Sequence, residues 1–442
     1  MLGTYITFPE LLIWLPVLAG LFSFFASGQQ SARNIAILSS LLVLGVSVAS
    51  LFYASDKYQH YNNVNYYWLK YIGNSFNIGL DGTGRILTFL TAVSFPLIFI
   101  GTSAPQKRPS VYYGLMLLAQ AGLMGVFVAK DALVFYFFWE LALIPVYFLS
   151  SQWGGERRIP VTFKFFVYTF TGSLLMLIGI LYVYNHTGAR AFEDGTRSAH
   201  SFALSYFYNA HLTGGEQNFL FWLFFIAFAI KMPVFPFHTW QPDAYDQAPT
   251  PVTMVLSGVM VKMGLFAVIR WLIPIFPEAS AHYTNLVLIL CVTGIVYASC
   301  IAMVQDNLKK LVAYSSIAHI GLMCAAIFVR NELSVQGMLI QLFTHGVNII
   351  GLWLVIDMIE KQTGIKQISQ LRGIANKAPF LTVMLIIIAL ANIALPLTNA
   401  FPGEFMMFAG LFQYSKVFAA VAGLGVILSA IYTLNMIQKV FY

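Results

Sequence analysis

Residues 419–437 read AAVAGLGVILSAIYTLNMI, an apolar run that contains no charged side chain. About 20 consecutive apolar residues are enough for a helix to cross a bilayer. Similar runs recur along the chain, since 59% of its 442 residues are hydrophobic and only 9% are charged. Transmembrane β-strands would instead be short alternating segments of about 10 residues. The sequence therefore predicts an all-α polytopic membrane protein in which residues 1–442 form a single integral membrane domain.

The apolar segments predict about 13 transmembrane helices, most of them joined by short connections. The predicted spans lie near residues 5–26, 34–54, 81–101, 110–129, 131–151, 159–184, 217–238, 251–276, 284–304, 310–329, 333–359, 380–412 and 417–438. The sequence has no Gly-rich phosphate loop and no dinucleotide fingerprint, so we predict no nucleotide site. Its three cysteines lack metal-type spacing, and no metal site is expected. Any energy input must come from an ion gradient or from partner proteins.

Basic residues in the connections indicate how the chain is oriented. Twelve lysines and arginines follow odd-numbered spans or lie at the C-terminal end, and eight lie on the other side. Because cytoplasmic loops carry the excess of basic residues, we expect the N-terminus outside. The formal net charge of +7 is then an orientation signal and gives no support for nucleic-acid binding.

Four charged residues fall deep inside predicted spans, namely Glu140, Lys231, Lys262 and Glu404. An ionised side chain near the bilayer centre costs roughly 2.5–3.5 kcal/mol, so four unpaired charges would cost about 10–14 kcal/mol. We therefore expect these side chains to be paired, hydrated or neutral. Burial and nearby opposite charges shift proton affinity in opposing directions, which suits a relay that captures and releases protons. The alternative is one structural ion pair, with the other charges reaching to the interface.

Prolines interrupt two spans beside these charges. Pro233 and Pro236 follow the lysine of span 7, and Pro396 and Pro402 precede the glutamate of span 12. Proline removes a backbone donor and frees carbonyl groups, which is tolerated at membrane depth only inside protein or beside water. Each break alone could be an ordinary kink. Spans 7 and 12 are an odd number apart and so run in opposite directions, and the pair indicates two broken helices of an inverted repeat.

Two histidines, His319 and His345, lie at similar depth on consecutive predicted spans. A lone histidine on an apolar helix is often only hydrogen bonded to a backbone carbonyl. Two histidines between Lys262 and Glu404 in the sequence favour a relay through side chains and water. His238, at the end of the broken span 7, is a candidate for an entrance or a cap.

Several longer motifs resemble the antiporter-like membrane subunits of respiratory complex I. These motifs are FFWELALIPVYFLSSQWGG, KFFVYTFTGS, FAIKMPVFPFHTW, APTPVTMVLSGVMVKMG, LVAYSSIAHIGL and FPGEF. The resemblance covers nearly the whole chain and is closest to the chain M branch, the bacterial counterpart of mitochondrial NADH dehydrogenase subunit 4. It implies two inverted five-helix repeats, which would fall near residues 110–277 and 284–439.

The resemblance also implies roles for the buried charges. Glu140 would be the partner of Lys231, and Lys262 would be the central lysine. Glu404 would be the acid of the second broken helix, at a place where the sister chains L and N carry lysine. Protons would pass from Lys231 by way of Lys262 and the two histidines towards Glu404. The implied activity is that of a subunit of a proton-pumping NADH:quinone oxidoreductase, coupled to quinone reduction in neighbouring subunits.

Partners and location follow from the same resemblance. The implied partners are the other membrane-arm subunits, especially chains L and N, together with the lipid bilayer. NADH, FMN, iron–sulfur clusters and quinone are expected in partner subunits, and no cofactor is expected in this chain. The implied location is the bacterial inner membrane, with the mitochondrial inner membrane as the alternative.

The sequence departs from the family in the segment after the first broken helix and in its number of spans. QPDAYDQAP has Tyr245 and Gln247 where the family has histidine and glutamate in LPDAHxEAP. The family usually has fourteen spans, whereas thirteen are predicted in this sequence.

Other functions remain open on these residues. A subunit of a multisubunit cation/proton antiporter shares the same motifs. A secondary solute transporter would need a pocket near the membrane midplane whose polar groups match a substrate. A purely structural membrane scaffold would tolerate the loss of Lys231 and Glu140.

Overall fold

The computed structural model describes residues 6–103, 105, 107–192 and 195–442, and most of them are helical. Tyr5, where the first predicted span begins, lies outside the described residues. The helices are α1 Phe8–Phe24, α2 Gln29–Phe52, α3 Gln59–Asn62, α4 Gly82–Gly101, α5 Pro109–Val128, α6 Ala132–Trp153, α7 Arg158–Asn185, α8 Leu204–Tyr208, α9 Gly214–Lys231, α10 Gln241–Gln247, α11 Thr250–Val255, α12 Val261–Ala267, α13 Pro277–His282, α14 Thr284–Val304, α15 Leu308–Val329, α16 Glu332–Thr363, α17 Ile374–Lys377, α18 Pro379–Asn392, α19 Phe401–Tyr414 and α20 Lys416–Phe441.

Strands are short and lie in the connections. The strand β1 Asn63–Tyr67 pairs antiparallel with β2 Ser75–Gly79, and β3 Arg190–Ala191 pairs antiparallel with β4 Arg197–Ser198. In the described part of the chain, 10 helical segments are long and apolar enough to cross a membrane, and α1 and α18 are shorter apolar helices. The all-α polytopic membrane fold is therefore confirmed, whereas the count of 13 spans is not.

The chain divides into two compact units. The first unit holds the described residues of Met1–Trp153, Phe166–Lys231 and Phe266–Ala281, and in it α5 packs against α1, α4 and α6. The second unit holds Gly154–Phe165, Met232–Leu265 and His282–Tyr442, and in it α15 packs against α14, α16 and α19. In the apolar stretch of α15, 94% of the residues are buried, against 28% in α20. The helix that carries His319 is thus central to the second unit. The repeat boundaries stay a prediction.

Both predicted helix breaks are present. Helix α9 ends at Lys231, and turns continue to Trp240 before α10 begins. Helix α18 ends at Asn392 and α19 begins at Phe401. Between them Ala394 and Leu397 have φ angles of 52° and 77°, a left-handed conformation that non-glycine residues rarely adopt.

The predicted prolines explain where helical hydrogen bonding stops. Pro233, Pro236 and Pro396 lie in the two non-helical segments. Pro402 lies in the first turn of α19, where a helix does not need the missing N–H group. A third irregularity was not predicted from the sequence. Two π turns, Leu256–Met260 and Val268–Leu272, flank α12 and the lysine within it.

Candidate functional site

Lys231 is the last residue of α9 and is only 2% exposed. Its Nζ lies 5.4 Å from the centre of the Trp139 ring and makes no hydrogen bond with a described residue. The carbonyls of the last helical turn have no partners within the helix, and the helix dipole favours a cation at this end. The helix break therefore gives the buried lysine of the first unit a favourable electrostatic environment.

Glu140 lies in the middle of α6, next to Trp139 in the sequence. Its carboxylate attracts Lys231 electrostatically, but no hydrogen bond joins the two side chains. The Oε1 atom of Glu140 is buried and has no hydrogen-bond partner among the described residues. The two groups thus interact through space without contact, and small movements of either side chain would change the strength of the interaction.

His238 lies in the turns after the break, in the second unit. It is 3% exposed, and its ring lies 5.8 Å from that of Phe235 and 5.3 Å from that of Tyr297. Its Nδ1 is buried and makes no hydrogen bond within the described ranges. These aromatic contacts hold the imidazole away from bulk solvent. Its role as an entrance or a cap stays a prediction.

Lys262 is fully buried in α12. Its Nζ donates a hydrogen bond of 2.7 Å to the carbonyl oxygen of Ser257 and lies 3.0 Å from Nδ1 of His345. Ser257 belongs to the π turn Leu256–Met260, and π turns recur at functional sites. The local departure from α-helical geometry thus accompanies the contact between the central lysine and the histidine of α16.

The contact between Lys262 and His345 has a definite chemical meaning. An ammonium group can only donate hydrogen bonds, while each imidazole nitrogen either donates or accepts. At 3.0 Å the two nitrogens share one hydrogen: it is bonded either to Nζ of Lys262 or to Nδ1 of His345. Transfer between the two nitrogens then needs no large movement, which is the geometry of a proton-transfer pair.

The row continues from His345 to His319 and Glu404. The two imidazole rings are 5.4 Å apart between centres, and Nδ1 of His319 lies 3.8 Å from Oε2 of Glu404. His319 and Glu404 border a cavity of about 20 Å³, which has room for one water molecule. Both Nε2 atoms are buried without a hydrogen-bond partner in the described part of the chain. Lys262, His345, His319 and Glu404 therefore form one row inside the second unit.

Glu404 is 6% exposed and lies in the first turn of α19, where the helix dipole favours a negative charge. Asn348 forms hydrogen bonds to residues at the break before α19. Its amide donates to the carbonyl of Ala391 and to Oδ1 of Asn399, and the amide of Asn399 donates back to Oδ1 of Asn348. These bonds connect α16 with the end of α18 and with the segment before α19.

The sequence reasoning missed a polar group beside Glu404. Tyr432 borders the same cavity and donates a hydrogen bond of 2.9 Å to Oγ of Ser315. The amide of Asn392 donates to the same oxygen at 3.4 Å. Single tyrosine, serine and asparagine residues in apolar spans give no spacing signal, so no pattern in the sequence could have found them. Within the described ranges, no three His, Cys, Asp or Glu residues are grouped so that they could hold a metal ion.

Helix α10, which follows the first break, is fixed by ion pairs. Asp243 lies 3.3 Å from Nζ of Lys164 and 3.2 Å from Nζ of Lys310. Burial tends to raise the pKa of Asp243, but hydrogen bonds and attraction from Lys310 and Lys164 outweigh it and lower the pKa below its usual value. The carboxylate therefore stays charged and joins α7, α10 and α15.

The two departures from the family motif have structural partners. Tyr245 is fully buried and places its ring 5.9 Å from that of Trp353. Oε1 of Gln247 accepts a 3.0 Å hydrogen bond from the backbone N–H of Arg157, and its carbonyl accepts one of 2.7 Å from Gly155. In this chain both residues stabilise the segment by packing and by neutral hydrogen bonds.

A family model for the transmembrane region of NADH:quinone oxidoreductase and Mrp antiporter proteins matches residues 129–431. The NADH-quinone oxidoreductase subunit M of Rickettsia prowazekii is 35% identical over 439 residues, which cover 97% of this chain and 87% of the relative. The chain belongs to the NADH:quinone oxidoreductase/Mrp antiporter family. The resemblance inferred from the motifs is therefore confirmed.

Solved structures of this family share the fold. A chain of respiratory complex I from Thermus thermophilus with bound NADH is 30% identical, with a TM-score of 0.86 over 98% of this chain and 88% of that chain. A chain of the Mrp complex from Dietzia sp. is 21% identical, with a TM-score of 0.85 over 98% of this chain and 80% of that chain. The second likeness shows the fold alone.

Proposed function

We propose that this chain is a proton-translocating membrane-arm subunit of NADH:quinone oxidoreductase. The observation that carries the proposal is the row in the second unit, in which Lys262 lies 3.0 Å from His345 and His319 lies 3.8 Å from Glu404. Its relatives named subunit M of this oxidoreductase support the choice of complex. Four titratable groups in a buried row stabilise the fold less than apolar packing would, so proton transfer accounts for their presence better than a structural role does.

Each proposed step moves one proton between named atoms. Protonated Lys262 gives a proton from Nζ to Nδ1 of His345, so that an N–H bond breaks on lysine and another forms on histidine. The resulting imidazolium of His345 carries one proton on each ring nitrogen. It then releases the proton on Nε2 towards His319. His319 passes a proton to the carboxylate of Glu404, directly or through one water molecule in the adjoining cavity.

Lys231 and Glu140 form the proposed input to this row. Moving Glu140 closer to Lys231 would hold the proton on the lysine, and moving it away would release the proton towards Lys262. Quinone reduction in neighbouring subunits would drive that change through electrostatics or hydration. His238, Pro233, Pro236, Pro396 and Pro402 would support the route by shaping the two breaks.

The proposed assembly places this subunit among the other membrane-arm subunits, with the sister chains L and N as its neighbours. NADH, FMN, iron–sulfur clusters and quinone would bind to partner subunits, and this chain would hold no cofactor and no nucleic acid. The proposed location is the bacterial inner membrane, with the N-terminus outside. The mitochondrial inner membrane is the alternative.

The test is proton uptake by vesicles that contain the purified complex and oxidise NADH. We expect Lys231→Ala and Glu140→Gln to lower the rate of uptake at least about tenfold, since each step loses its titratable group. Lys416→Ala and Glu332→Gln change exposed residues of the same types and should leave the rate unchanged. Wild-type uptake by both buried-site variants would overturn the proposal and favour a structural scaffold.

A subunit of a cation/proton antiporter is the second candidate, because the fold matches that of a chain in an Mrp complex. Sodium-dependent proton movement by the purified assembly would favour it, and copurification with NADH-oxidising subunits would count against it. A solute transporter has less support. The cavity beside Glu404 measures about 20 Å³, whereas pockets for small molecules measure about 300–1,000 Å³.

A further inference from the structure

A cluster of three cations in the first unit lies outside the proposed proton route. Arg85, Lys130 and Arg270 act on one another or on Asp81 electrostatically, and Asp81 is the carboxylate among them. The cluster lies where α4 begins, α5 ends and α6 begins, at the ends of three spans. This is the level at which lipid headgroups meet a membrane protein.

Most hydrogen-bonding capacity of Arg270 is already used. Its guanidinium forms an ion pair with Asp81 and donates to the carbonyls of Phe127 and Ala129 at 3.3 and 3.4 Å. It also lies 4.3 Å from the centre of the Phe266 ring. Asp81 in turn accepts a hydrogen bond from the N–H of Gly84 at the start of α4. Asp81 therefore already pairs with Arg270 and caps the N-terminal end of α4.

Arg85 differs from Arg270 in that two of its nitrogens lack a partner in the described part of the chain. Its Nε and Nη2 atoms are buried and make no hydrogen bond with the described residues. A buried charged donor without an acceptor costs several kcal/mol in free energy unless a ligand supplies one. Arg85 lies in the second turn of α4, and Asp81 attracts it only electrostatically. The guanidinium thus keeps two donors for which the described part of the chain supplies no acceptor.

Lys130 adds a second available charge. It donates one hydrogen bond to Oδ1 of Asn63 and has no carboxylate in contact among the described residues. Burial lowers the pKa of Lys130, Asp81 opposes this shift, and Arg270 and Arg85 add to it. The cluster holds three positive charges and one negative charge, so it lacks negative charge.

The neighbouring acid, Asp131, does not supply the negative charge that the cluster lacks. Asp131 is directed away from the cluster, because its carboxylate accepts hydrogen bonds from the amide of Asn74 and from the backbone N–H groups of Ser75, Leu133 and Val134. Asp81, by contrast, is 47% exposed, so the cluster opens to the surface of the chain. Arg85 and Lys130 are themselves partly exposed, so an anion from the surroundings can approach the two side chains at this surface.

We propose that Arg85, Lys130 and Arg270 form a binding site for a phosphate group, carried by an anionic phospholipid headgroup or by a free phosphate ion. Two buried guanidinium donors and a lysine ammonium match the several acceptor oxygens of a phosphate. The placement at three helix ends would let a lipid keep its acyl chains in the bilayer while its phosphate binds.

The test measures the melting temperature of the purified, delipidated complex during titration with phosphatidylglycerol, phosphatidylcholine or inorganic phosphate. We expect phosphatidylglycerol to raise the melting temperature of the wild type, and Arg85→Gln and Lys130→Gln to require about tenfold more lipid for the same rise. Lys57→Gln removes an exposed lysine of another connection and should respond like the wild type.

A second measurement separates loss of the site from loss of folding. Because Arg85 lacks partners for two nitrogens, Arg85→Gln should melt at or above the wild-type temperature in the absence of any anion. Inorganic phosphate that reproduces the rise, with the same sensitivity to both variants, would identify a free ion as the ligand. Failure of both phosphatidylglycerol and phosphate to stabilise the wild type, or equal responses of wild type and both variants, would overturn the site.

Discussion

The contact between Lys262 and His345 determines how the buried row can handle a proton. Among the described residues, Lys262 has two hydrogen-bond partners, the carbonyl of Ser257 and Nδ1 of His345. The carbonyl can only accept, so it stabilises an ammonium group whatever His345 does. His345 is the only one of the two partners that can take the proton. The pair is therefore a step of the row in which the two titratable groups are already close enough for a hydrogen bond.

Replacing His345 by leucine should interrupt the row at this step. Leucine can neither accept nor donate a proton, so the rate of proton transport should fall at least about tenfold. Proton uptake by vesicles during NADH oxidation measures the effect. His282→Leu changes an exposed histidine and is the matched control. Equal rates for His345→Leu and His282→Leu would rule out a role for this contact.

Asp131, which precedes α6, predicts a dependence of stability on pH. Burial raises its pKa to about 7 in the folded chain, although hydrogen bonds from Ser75, Val134, Leu133 and Asn74 oppose the shift. An unfolded aspartate has a pKa near 3.9, so between about pH 4 and pH 7 the unfolded state loses its proton first. Stability should therefore fall as pH rises through this range, by up to about 4 kcal/mol.

The variant Asp131→Asn should abolish most of that decline, because an amide does not titrate. Melting temperatures of the purified complex at a series of pH values measure it. Asp306→Asn, which changes an exposed aspartate bonded to Ser369, serves as the control. A decline in Asp131→Asn as large as in the wild type would show that other groups cause it.

At the scale of elements, the positions of the two helix breaks could be predicted from the sequence. The side-chain contacts that stabilise the second break could not. Pro233 and Pro396 indicate in the sequence where helical hydrogen bonding must stop. The pair Asn348 and Asn399, which closes the second break, joins residues 51 positions apart, and nothing in the spacing of either residue marks it. The π turn before Lys262 was likewise unpredictable, because its residues suit an α-helix equally well.

Close packing of α16 against α19 predicts the effect of enlarging Gly403. A Cβ atom at this position would lie 2.9 Å from the carbonyl oxygen of Gly337, so the backbone would have to move. Overpacking of this kind costs about 1–3 kcal/mol. Gly403→Ala should therefore lower the melting temperature and, by displacing Glu404, slow proton transport several-fold.

The matched control for Gly403→Ala is Gly423→Ala in α20, where the added Cβ would have no atom within 4 Å. That variant should keep the wild-type melting temperature and the wild-type transport rate. If Gly403→Ala also kept both, the position of Glu404 would not depend on the packing of α19 against α16.

At the scale of the whole molecule, hydrophobic composition was enough to predict the class of fold. Long apolar runs leave a helix as the only structure that satisfies the backbone inside lipid, so an all-α fold followed from the sequence. Four of the six predicted proton-transfer residues, Lys262, His345, His319 and Glu404, lie in one row. The sequence could not reveal that Glu140 and Lys231 interact without contact, because this depends on side-chain positions.

The cluster of Arg85, Lys130 and Arg270 could not be predicted from the sequence either. Arg85 and Arg270 are 185 positions apart in the sequence, and no local pattern links them. Their proximity to Asp81 arises when α4 and the second π turn come together within the first unit. Long-range clustering of this kind follows from tertiary packing, which local patterns do not encode.

The most direct test of the central claim is the rate of proton uptake, driven by NADH oxidation, in vesicles carrying Lys262→Met. Methionine keeps the length and apolar packing of the side chain and removes its titratable group. The proton row predicts a fall of at least about tenfold, while electron transfer from NADH to an artificial acceptor stays unchanged. Wild-type proton uptake in an assembled complex with this substitution would contradict the account.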